Sequence, residues 1–402
     1  MMTTFRFTRW LSCFPVLAGL CLIAGLGGCR QEQQSSAAPV LGMRISSVLG
    51  DIEEAGFNKA QRPRRFVFPE DHGPHPGYRS EWWYLTAVLK TTQGREFGVQ
   101  YTLFRQALTP APTGTGPWHT GQAFMAHVAV TDVDNNRHLH DQRFVRGHPQ
   151  LAGVSLDNGF RAWLEDWVLE GLTVNARQFD LHLQASADRF DLDLTLRQQQ
   201  PIVLQGDAGL SHKGVGSASY YYSMPRLSIS GVLEIEGQQH EVTGLGWLDR
   251  EWSTSVLPAG VAGWDWFALQ FSDGSSLMVF RLRRQDGLRD EYDHGVKVPA
   301  YDVSADSTTH TGTVLKAADY ELTPLRYWVD DAGISWPVSW QLDLQGEQFF
   351  IDALVDDQLM DTGIMYWEGI VGVRDAQGAS LGRGYMELTG YDTHPVTAAQ
   401  NR

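Results

Sequence analysis

Short strand-like segments separated by tight-turn residues recur along the chain, and this pattern constrains the fold more than any other feature. Residues 81–90 (EWWYLTAVLK) and 96–105 (EFGVQYTLFR) flank a Thr-Thr-Gln-Gly turn, as in a hairpin. Residues 179–185 (FDLHLQA) and 190–196 (FDLDLTL) alternate apolar and polar side chains with a period of two. Apolar residues spaced as on one face of a long helix are scarce. The sequence therefore predicts an all-β protein built from barrels or sandwiches.

The length of the chain predicts two domains. The 374 residues that follow the leader described below are too many for one small barrel. The weakest strand patterning falls at residues 251–263, so we place the boundary there and predict domains at 61–254 and 255–395. Residues 160–170 (FRAWLEDWVLE) are compatible with a strand or with a brief helix, and the sequence leaves both open.

The N-terminus has the features of a bacterial lipoprotein leader. Two arginines in the first ten residues precede an uncharged stretch at 11–28, which is somewhat short for a spanning helix. Residues 26–29 (LGGC) resemble the lipobox, in which small residues precede a cysteine that becomes lipidated. We predict a signal peptide at 1–28, lipidation of Cys29 and a flexible tether at 29–60. An uncleaved anchor and an ordinary secretory signal are the alternatives.

Cysteine usage and charge agree with export to the bacterial cell envelope. All three cysteines, Cys13, Cys21 and Cys29, lie in the leader or at its edge, so the mature chain can form no disulfide. The net charge of −15, which loss of the leader makes more negative, disfavours nucleic acid as a partner. Because Arg30 follows the cysteine, the chain resembles lipoproteins sorted to the outer membrane. We therefore expect a lipid-anchored protein at the outer membrane, facing the periplasm.

Several short segments carry a resemblance to a known family. They are residues 69–75 (PEDHGPH), 81–84 (EWWY), 221–227 (YYSMPRL), 244–255 (GLGWLDREWSTS) and 263–266 (GWDW). Together they resemble the AttH-like proteins, often called predicted secreted hydrolases, which are related to the carotenoid 1,2-hydratases of the hydroxyneurosporene synthase type. The resemblance implies two lipocalin-like (calycin) β-barrels packed together, each able to hold a small apolar ligand in its interior.

The hydratase branch of that family adds water across a terminal carbon–carbon double bond. The reaction needs an acid that protonates the alkene, a surface that tolerates a tertiary carbocation, and a water molecule. Aromatic faces stabilise a cation, and a carboxyl group among aromatic walls has a raised pKa that makes it a usable acid. Residues 247–249 (WLD) lie where that branch has an aromatic-x-Asp pair, so the resemblance implies Asp249 as the acid. Residues 220–225 carry tyrosines where the branch has a His-x-Trp pair.

The predicted site residues come from the same segments. On a strand, Trp247, Asp249 and Glu251 share one face. The candidate catalytic residues are Asp249, Glu251 and Glu81. The candidate ligand-binding residues are aromatic side chains and one acid, namely Trp82, Trp83, Tyr84, Tyr221, Trp247, Trp252, Trp264 and Asp265.

Structural roles compete with these functional ones. Asp249, Arg250 and Glu251 are equally compatible with a buried ion pair that closes a barrel or holds the domains together. Glu81 faces either an apolar interior, where it needs Arg250 or His127 as a partner, or solvent at the rim.

Two functions fit this pattern. The first is a binding module that carries an apolar small molecule, with transport machinery as a further candidate partner. The second is a hydratase- or hydrolase-type enzyme that acts on an unsaturated lipid or terpenoid, with Asp249 as general acid. The sequence has no Gly-x-Ser-x-Gly nucleophile elbow, and we predict neither a metal at His72 and His75 nor a cofactor. Lys213, in a glycine-rich segment, is expected in a loop at the barrel mouth. An enzyme needs a carboxyl group facing a closed apolar cavity, whereas a carrier needs only the cavity.

Replacing Cys29 by alanine tests the anchor. Without the thiol no lipid can be attached, so we expect the variant to stay unprocessed or to become soluble, and to take up no radiolabelled palmitate. The unsubstituted protein, labelled in parallel, is the control. Palmitate in Cys29→Ala would show that the lipoprotein assignment is wrong.

Overall fold

The structure is a computed structural model that describes residues 54–254, 257–258, 260–301, 309–310 and 312–391. The predicted signal peptide, Cys29 and most of the tether lie outside these residues. The described part is built from strands, with two 3-10 helices of three residues each, Glu70–His72 and Ala317–Asp319. Within it, no helix is both long and apolar enough to span a bilayer.

Thirteen consecutive strands belong to the first sheet. They are β1 Ser80–Lys90, β2 Glu96–Ala107, β3 Gln122–Asp132, β4 Arg137–Arg146, β5 Ala152–Ser155, β6 Arg161–Leu164, β7 Trp167–Val174, β8 Phe179–Ser186, β9 Phe190–Gln198, β10 Ile202–Leu204, β11 Leu210–Gly214, β12 Ser217–Ile235 and β13 Gln238–Ser253. The main path runs in the order β4-β3-β2-β1-β13-β12-β9-β8-β7-β6-β5, and β10 and β11 both pair with β12.

The remaining strands build the second sheet, except for one. They are β14 Val261–Phe271, β15 Ser276–Arg284, β16 His294–Val298, β17 Thr309–His310, β18 Thr313–Lys316, β19 Tyr320–Val329, β20 Ser335–Leu344, β21 Glu347–Ala353, β22 Leu359–Asp361, β23 Met365–Asp375 and β24 Ser380–Thr389. The second sheet has the order β18-β16-β15-β14-β24-β23-β21-β20-β19, with β22 beside β23, whereas β17 pairs with β10 of the first sheet.

Each sheet forms a barrel or half-barrel, and the two pack together. This confirms the predicted all-β fold of two lipocalin-like barrels. The change from one sheet to the other falls between Ser253 and Val261, within the region of weak strand patterning. The domain limits 61–254 and 255–395 themselves stay a prediction.

The structure decides one segment that the sequence left open and corrects another. Residues 160–170, left open as strand or helix, contain all of β6, a tight turn and the start of β7. Glu165 in this turn has a left-handed φ of 57°, which lets β6 fold back against β7. Lys213, expected in a loop, lies on β11, which pairs with β12. The glycines around β11 hide it from a sequence pattern, because glycine is depleted in strands.

Large aromatic side chains fill the interior of both barrels. Those in the first core include Trp83, Phe97, Tyr101, Trp167, Tyr222 and Trp252. Those in the second core include Phe267, Trp336, Trp340 and Trp367. All of them are essentially inaccessible to solvent, and burial of each such side chain stabilises the fold by about 1.5–3 kcal/mol.

A buried ion cluster centred on Glu81 holds the loop that precedes β1 against the first barrel. Its carboxylate accepts hydrogen bonds from Arg105, from Arg250 at 3.2 Å and from the backbone N–H of His75 at 3.0 Å. Both arginines also donate to backbone carbonyls within residues 73–82. Burial raises the pKa of Glu81, but the positive charges and the His75 contact outweigh it and hold that pKa well below its usual range.

The expectation of Glu81 at a solvent-exposed rim is therefore wrong. Its side chain has no exposed surface, and Arg250, one of its two predicted partners, is bound to it. The other predicted partner, His127, contacts Tyr366 instead.

Glu81→Gln should be strongly destabilising. The amide would leave the guanidinium groups of Arg105 and Arg250 buried without a carboxylate, a loss of about 3–5 kcal/mol. The measurement is the melting temperature at neutral pH. Glu236→Gln is the matched control, because Glu236 also binds two arginines, Arg137 and Arg189, but on the exposed surface, and its melt should stay near that of the parent protein. Equal melts for the two variants would contradict the role given to Glu81.

Candidate active site between the two barrels

A cavity of about 400 Å³ lies between the two barrels. Its first wall is formed mainly by β1, β2, β3, β12 and β13, and its second wall by β14, β15, β23 and β24. The ligand was predicted to bind inside a barrel, but side chains fill the cores of both barrels. The cavity uses the opposite faces of the two sheets, so neither barrel alone encloses it.

Alternation along the strands divides the first wall from the first core. On β1, Trp82 and Tyr84 border the cavity, whereas Trp83 between them packs in the core. On β13, Asp249 borders the cavity and Trp252 packs in the core. Adjacent residues of a strand point to opposite faces, so the sequence motifs EWWY and WLDREW each contribute to both places.

Asp249 is buried on the first wall with neutral partners. Its carboxylate accepts hydrogen bonds from Tyr221 Oη at 2.5 Å, from Ser223 Oγ at 2.5 Å and from Trp247 Nε1 at 2.6 Å. Burial raises the pKa of Asp249 to about 7, although these three hydrogen bonds act in the opposite direction. A large fraction of Asp249 therefore carries a proton at neutral pH, as a general acid requires.

The alternative of an ion pair between Asp249 and Arg250 is wrong. Arg250 points to the other face of β13, where it binds Glu81 and lies 3.7 Å from the ring centre of Trp83. Lys213, one of the cations that border the cavity, forms an ion pair with Glu251. Glu251 also accepts a hydrogen bond from Ser219 at 2.5 Å. Glu251 is thus held as a neutralised pair beside Asp249.

The second wall contributes two further carboxyl groups, Glu368 on β23 and Glu387 on β24. They are directly opposite each other in the pairing of these strands. Tyr84 of the first wall donates a hydrogen bond across the cavity to Glu368. Burial and the neighbouring Glu387 raise the pKa of Glu368 well above its usual range, and burial raises the pKa of Glu387 to about 8. The carboxyl groups of Glu368 and Glu387 are therefore also largely protonated at neutral pH.

Glu368 and Glu387 were not among the predicted site residues, although each leaves a signal in the sequence. Each is a single acid inside an apolar run, in residues 365–373 (MYWEGIVGV) and 384–388 (GYMEL). A lone carboxyl group in a strand that is otherwise apolar is costly to bury and therefore marks a candidate site.

His127 on β3 places a hydrogen-bond donor in the cavity. Burial lowers the pKa of His127 to about 3, so its ring is neutral. Its Nδ1 lies 2.7 Å from the hydroxyl of Tyr366, which in turn accepts a hydrogen bond from Gln100. Where Tyr366 donates to Nδ1, the ring proton lies on Nε2. Nε2 is buried and has no partner within the described part of the chain.

The predicted ligand-binding residues divide between the cavity and other places. Those that border the cavity are Trp82, Tyr84, Tyr221 and Trp264. Trp247 lies beside the cavity, with its ring centre 6.4 Å from that of Trp266. Trp83 and Trp252 instead lie in the first core.

Asp265 is turned away from the cavity. Its carboxylate binds Arg281 at 2.8 Å and the hydroxyl of Tyr391 at 2.7 Å. On β14 it alternates with Trp264 and Trp266, both of which border the cavity. The structure therefore brings the two tryptophans together with Asp249 and leaves Asp265 outside.

His72 and His75 occupy separate places in the entry loop. His72 stacks on Phe179 with ring centres 3.7 Å apart and contacts the hydroxyl of Tyr222 at 2.6 Å. His75 stacks on Trp252 at 3.8 Å and contacts Glu81 at 3.1 Å. Both rings pack the loop against the first barrel.

Comparison with known proteins gives a family and a fold. A family model described as AttH-like matches residues 59–391. A solved structure of a Nitrosomonas europaea protein described as AttH is 34% identical, covers 83% of this chain and 100% of its own, and has a TM-score of 0.71. Kievitone hydratase from Nectria haematococca is 16% identical over 85% of this chain and 98% of its own, with a TM-score of 0.61. CghA is 11% identical over the same shares, with a TM-score of 0.51. The last two similarities concern the fold alone. No curated protein matches the sequence.

The pH dependence of stability should differ between the parent protein and Asp249→Asn. The carboxyl group ionises near 3.8 when unfolded but near 7 in the folded protein. A raised folded pKa gives stability that is present at low pH and is lost as the pH rises, here by about 1.4 kcal/mol per pH unit between those two values. The amide has no such dependence. The melting temperature of the parent protein should therefore fall relative to that of the variant from about pH 4 to about pH 7.

Two comparisons make this test specific. The groups that face Asp249 and titrate or carry charge are Tyr221, Glu251, Lys213 and Glu387, and all are unchanged in the Asn variant. Glu241→Gln removes an exposed carboxyl group of the same strand and should track the parent protein at every pH. Parallel curves for the parent protein and Asp249→Asn would mean that Asp249 is already ionised at low pH.

Proposed function

The chain belongs to the AttH-like family, as its sequence motifs predicted, and from this membership and the chemistry of the cavity we propose that it is a hydratase-type enzyme acting on an apolar, unsaturated substrate. Asp249 protonates a carbon–carbon double bond, and the more substituted carbon becomes a carbocation. A water molecule adds to that carbon. The extra proton of the added water returns to the Asp249 carboxylate, which restores the acid.

The observation that carries this proposal is the environment of Asp249. Its carboxyl group is buried, borders a largely apolar cavity and is bound by neutral donors. With a pKa of about 7 it holds a proton at neutral pH and can still release it. A general acid is most effective when its pKa lies near the working pH.

The walls of the cavity suit a positively charged intermediate. Trp82, Tyr221, Trp264, Trp266 and Phe280 border it with aromatic rings, whose faces attract a cation. Carboxyl groups on both walls add to that attraction as they ionise. Stabilisation that exists only when the cation forms accelerates the chemical step rather than tightening substrate binding.

These features favour an enzyme over the carrier that the sequence analysis put first. A carrier needs apolar walls alone, and buried carboxyl groups without cations lower its stability for no gain in binding. An enzyme uses those groups. The fold similarity to a protein named kievitone hydratase agrees with hydration as the reaction class.

His127 narrows the class of substrate. His127 borders the cavity, and with the ring proton on Nε2 it holds a donor that has no protein acceptor among the described residues. A buried donor without a partner is costly, so a substrate oxygen that accepts this hydrogen bond gains affinity. We therefore expect an unsaturated hydrocarbon chain that carries one hydroxyl, ether or carbonyl oxygen.

The location in the cell is part of the proposal. Lipidation at Cys29 and sorting to the outer membrane would hold the cavity close to a bilayer, where apolar compounds collect. Phe57, close to the start of the described chain, borders the cavity. The tether therefore arrives near the site, which suits a substrate taken from the membrane.

The experiment is an assay with alkenes that end in an isopropylidene group, such as geraniol and farnesol, in heavy-oxygen water. Mass spectrometry should detect a product that has gained one labelled water. Asp249→Asn should lower the rate by about 10²–10⁴-fold, while the parent rate should fall as the pH rises above about 7, because the acid must be protonated.

Glu241→Gln, on the exposed end of the same strand, is the control and should retain the parent rate. A melt of each variant at the assay pH establishes that it is folded. Full activity in Asp249→Asn would remove Asp249 from the mechanism. Tight binding of the alkenes by the parent protein without any product would favour the carrier.

A further inference from the structure

We propose that the second wall, at Glu368 and Glu387, is a cation-binding subsite that takes the ammonium head of an alkylated amine. The inference deepens the proposed function, because an ammonium group with alkyl substituents has the shape and charge of the carbocation in the hydration reaction. Its evidence is independent of Asp249, which lies on the first wall.

The first observation is the pairing of the two glutamates. They are register partners on β23 and β24, and both border the cavity. Side chains directly opposite in an antiparallel pair have Cβ atoms about 4.5–5.5 Å apart. Two carboxylates at that separation repel each other, and a bound cation between or beside them removes the repulsion.

The second observation is an oxygen of Glu368 without a partner. The side chain is fully buried, and its Oε1 accepts a hydrogen bond from Tyr84. Its Oε2 contacts no donor within the described ranges. Buried carboxylate oxygens are normally satisfied by hydrogen bonds or by a cation. This oxygen is therefore uncompensated, and a positive charge bound at this wall would compensate it.

The third observation is the aromatic surround. The ring centre of Tyr84 lies 5.2 Å from that of Trp266, and Trp264 binds the Glu387 carboxyl group. Aromatic faces beside carboxylates form the usual site for alkylated ammonium groups, which cannot donate strong hydrogen bonds. The subsite thus selects a cation with an apolar shell over a metal ion or a simple ammonium.

The ionisation of Glu368 and Glu387 predicts that binding of a cation is accompanied by a measurable release of protons. Burial raises the pKa of Glu387 to about 8 and holds that of Glu368 higher still. A cation in the cavity favours the charged forms, so its binding must release protons. The other titratable or charged groups that border the cavity are Arg79, Glu81, Arg105, Asp249, Glu251, Lys213, Tyr84, Tyr221, Tyr366 and His127.

The probe is octyltrimethylammonium, whose charge does not change with pH, and octanol is the neutral comparison. Calorimetry in buffers of different ionisation enthalpy should show proton release with the ammonium probe and none with octanol. In a Glu368→Gln/Glu387→Gln double variant, the affinity for octyltrimethylammonium should fall at least about tenfold, with octanol binding unchanged. Glu321→Gln, an exposed position of the same sheet, should bind both probes like the parent protein.

The outcomes separate this inference from the hydration proposal. The subsite would be overturned if the parent protein bound the two probes with equal affinity, or if it bound the ammonium probe without releasing protons. Both measurements use the parent protein, so they do not depend on whether a variant folds. Hydration activity lost in Asp249→Asn would stand regardless. Conversely, selective ammonium binding without hydration of any alkene would retain the subsite and overturn the proposed reaction.

Discussion

The two-residue period of β1 and β13 is the constraint on which the rest of the structure depends. It sends Arg250 to the face where Glu81 is buried, and Asp249 to the face that borders the cavity. Were the register of β13 shifted by one residue, Arg250 would neutralise the carboxyl groups of the cavity and Asp249 would enter the core. One strand thereby separates an ion cluster in which the charges are paired from an acid that has no cationic partner.

The two faces have opposite energetics. In the Glu81 cluster, arginines and backbone carbonyls satisfy one another, and the aromatic cores around them supply most of the burial. In the cavity, Asp249, Glu368 and Glu387 have raised pKa values because they are buried without enough positive charge. Such groups are destabilising, and folded proteins keep them mainly where they serve a function. The filled barrels provide the stability that makes this arrangement tolerable.

The sequence predicted the fold and the face of Asp249, because both follow from local patterns. Hairpin spacing and alternation are properties of neighbouring residues, and the motifs around EWWY and WLDREW resemble a family of known architecture. The position of the cavity did not follow, because it depends on how two sheets meet. For the same reason Glu368 and Glu387 were missed, and His127 was given Glu81 as its partner, although all three lie on predictable strands. Trp83, Trp252 and Asp265 were assigned to the ligand because they are adjacent in sequence to residues that do face it.

Hydrogen bonds cross directly between the barrels at the cavity, among them Tyr84 to Glu368, Tyr366 with His127, and Trp266 to Tyr221 at 3.2 Å. Each joins a side chain of one half of the chain to a partner in the other half. Recombination between two related genes at the junction of the sheets would therefore combine a first wall from one protein with a second wall from another. The side chains that bond across the cavity would then no longer be matched. The halves must accordingly be inherited as a unit, and a new ligand preference requires matched substitutions on both sides of the junction.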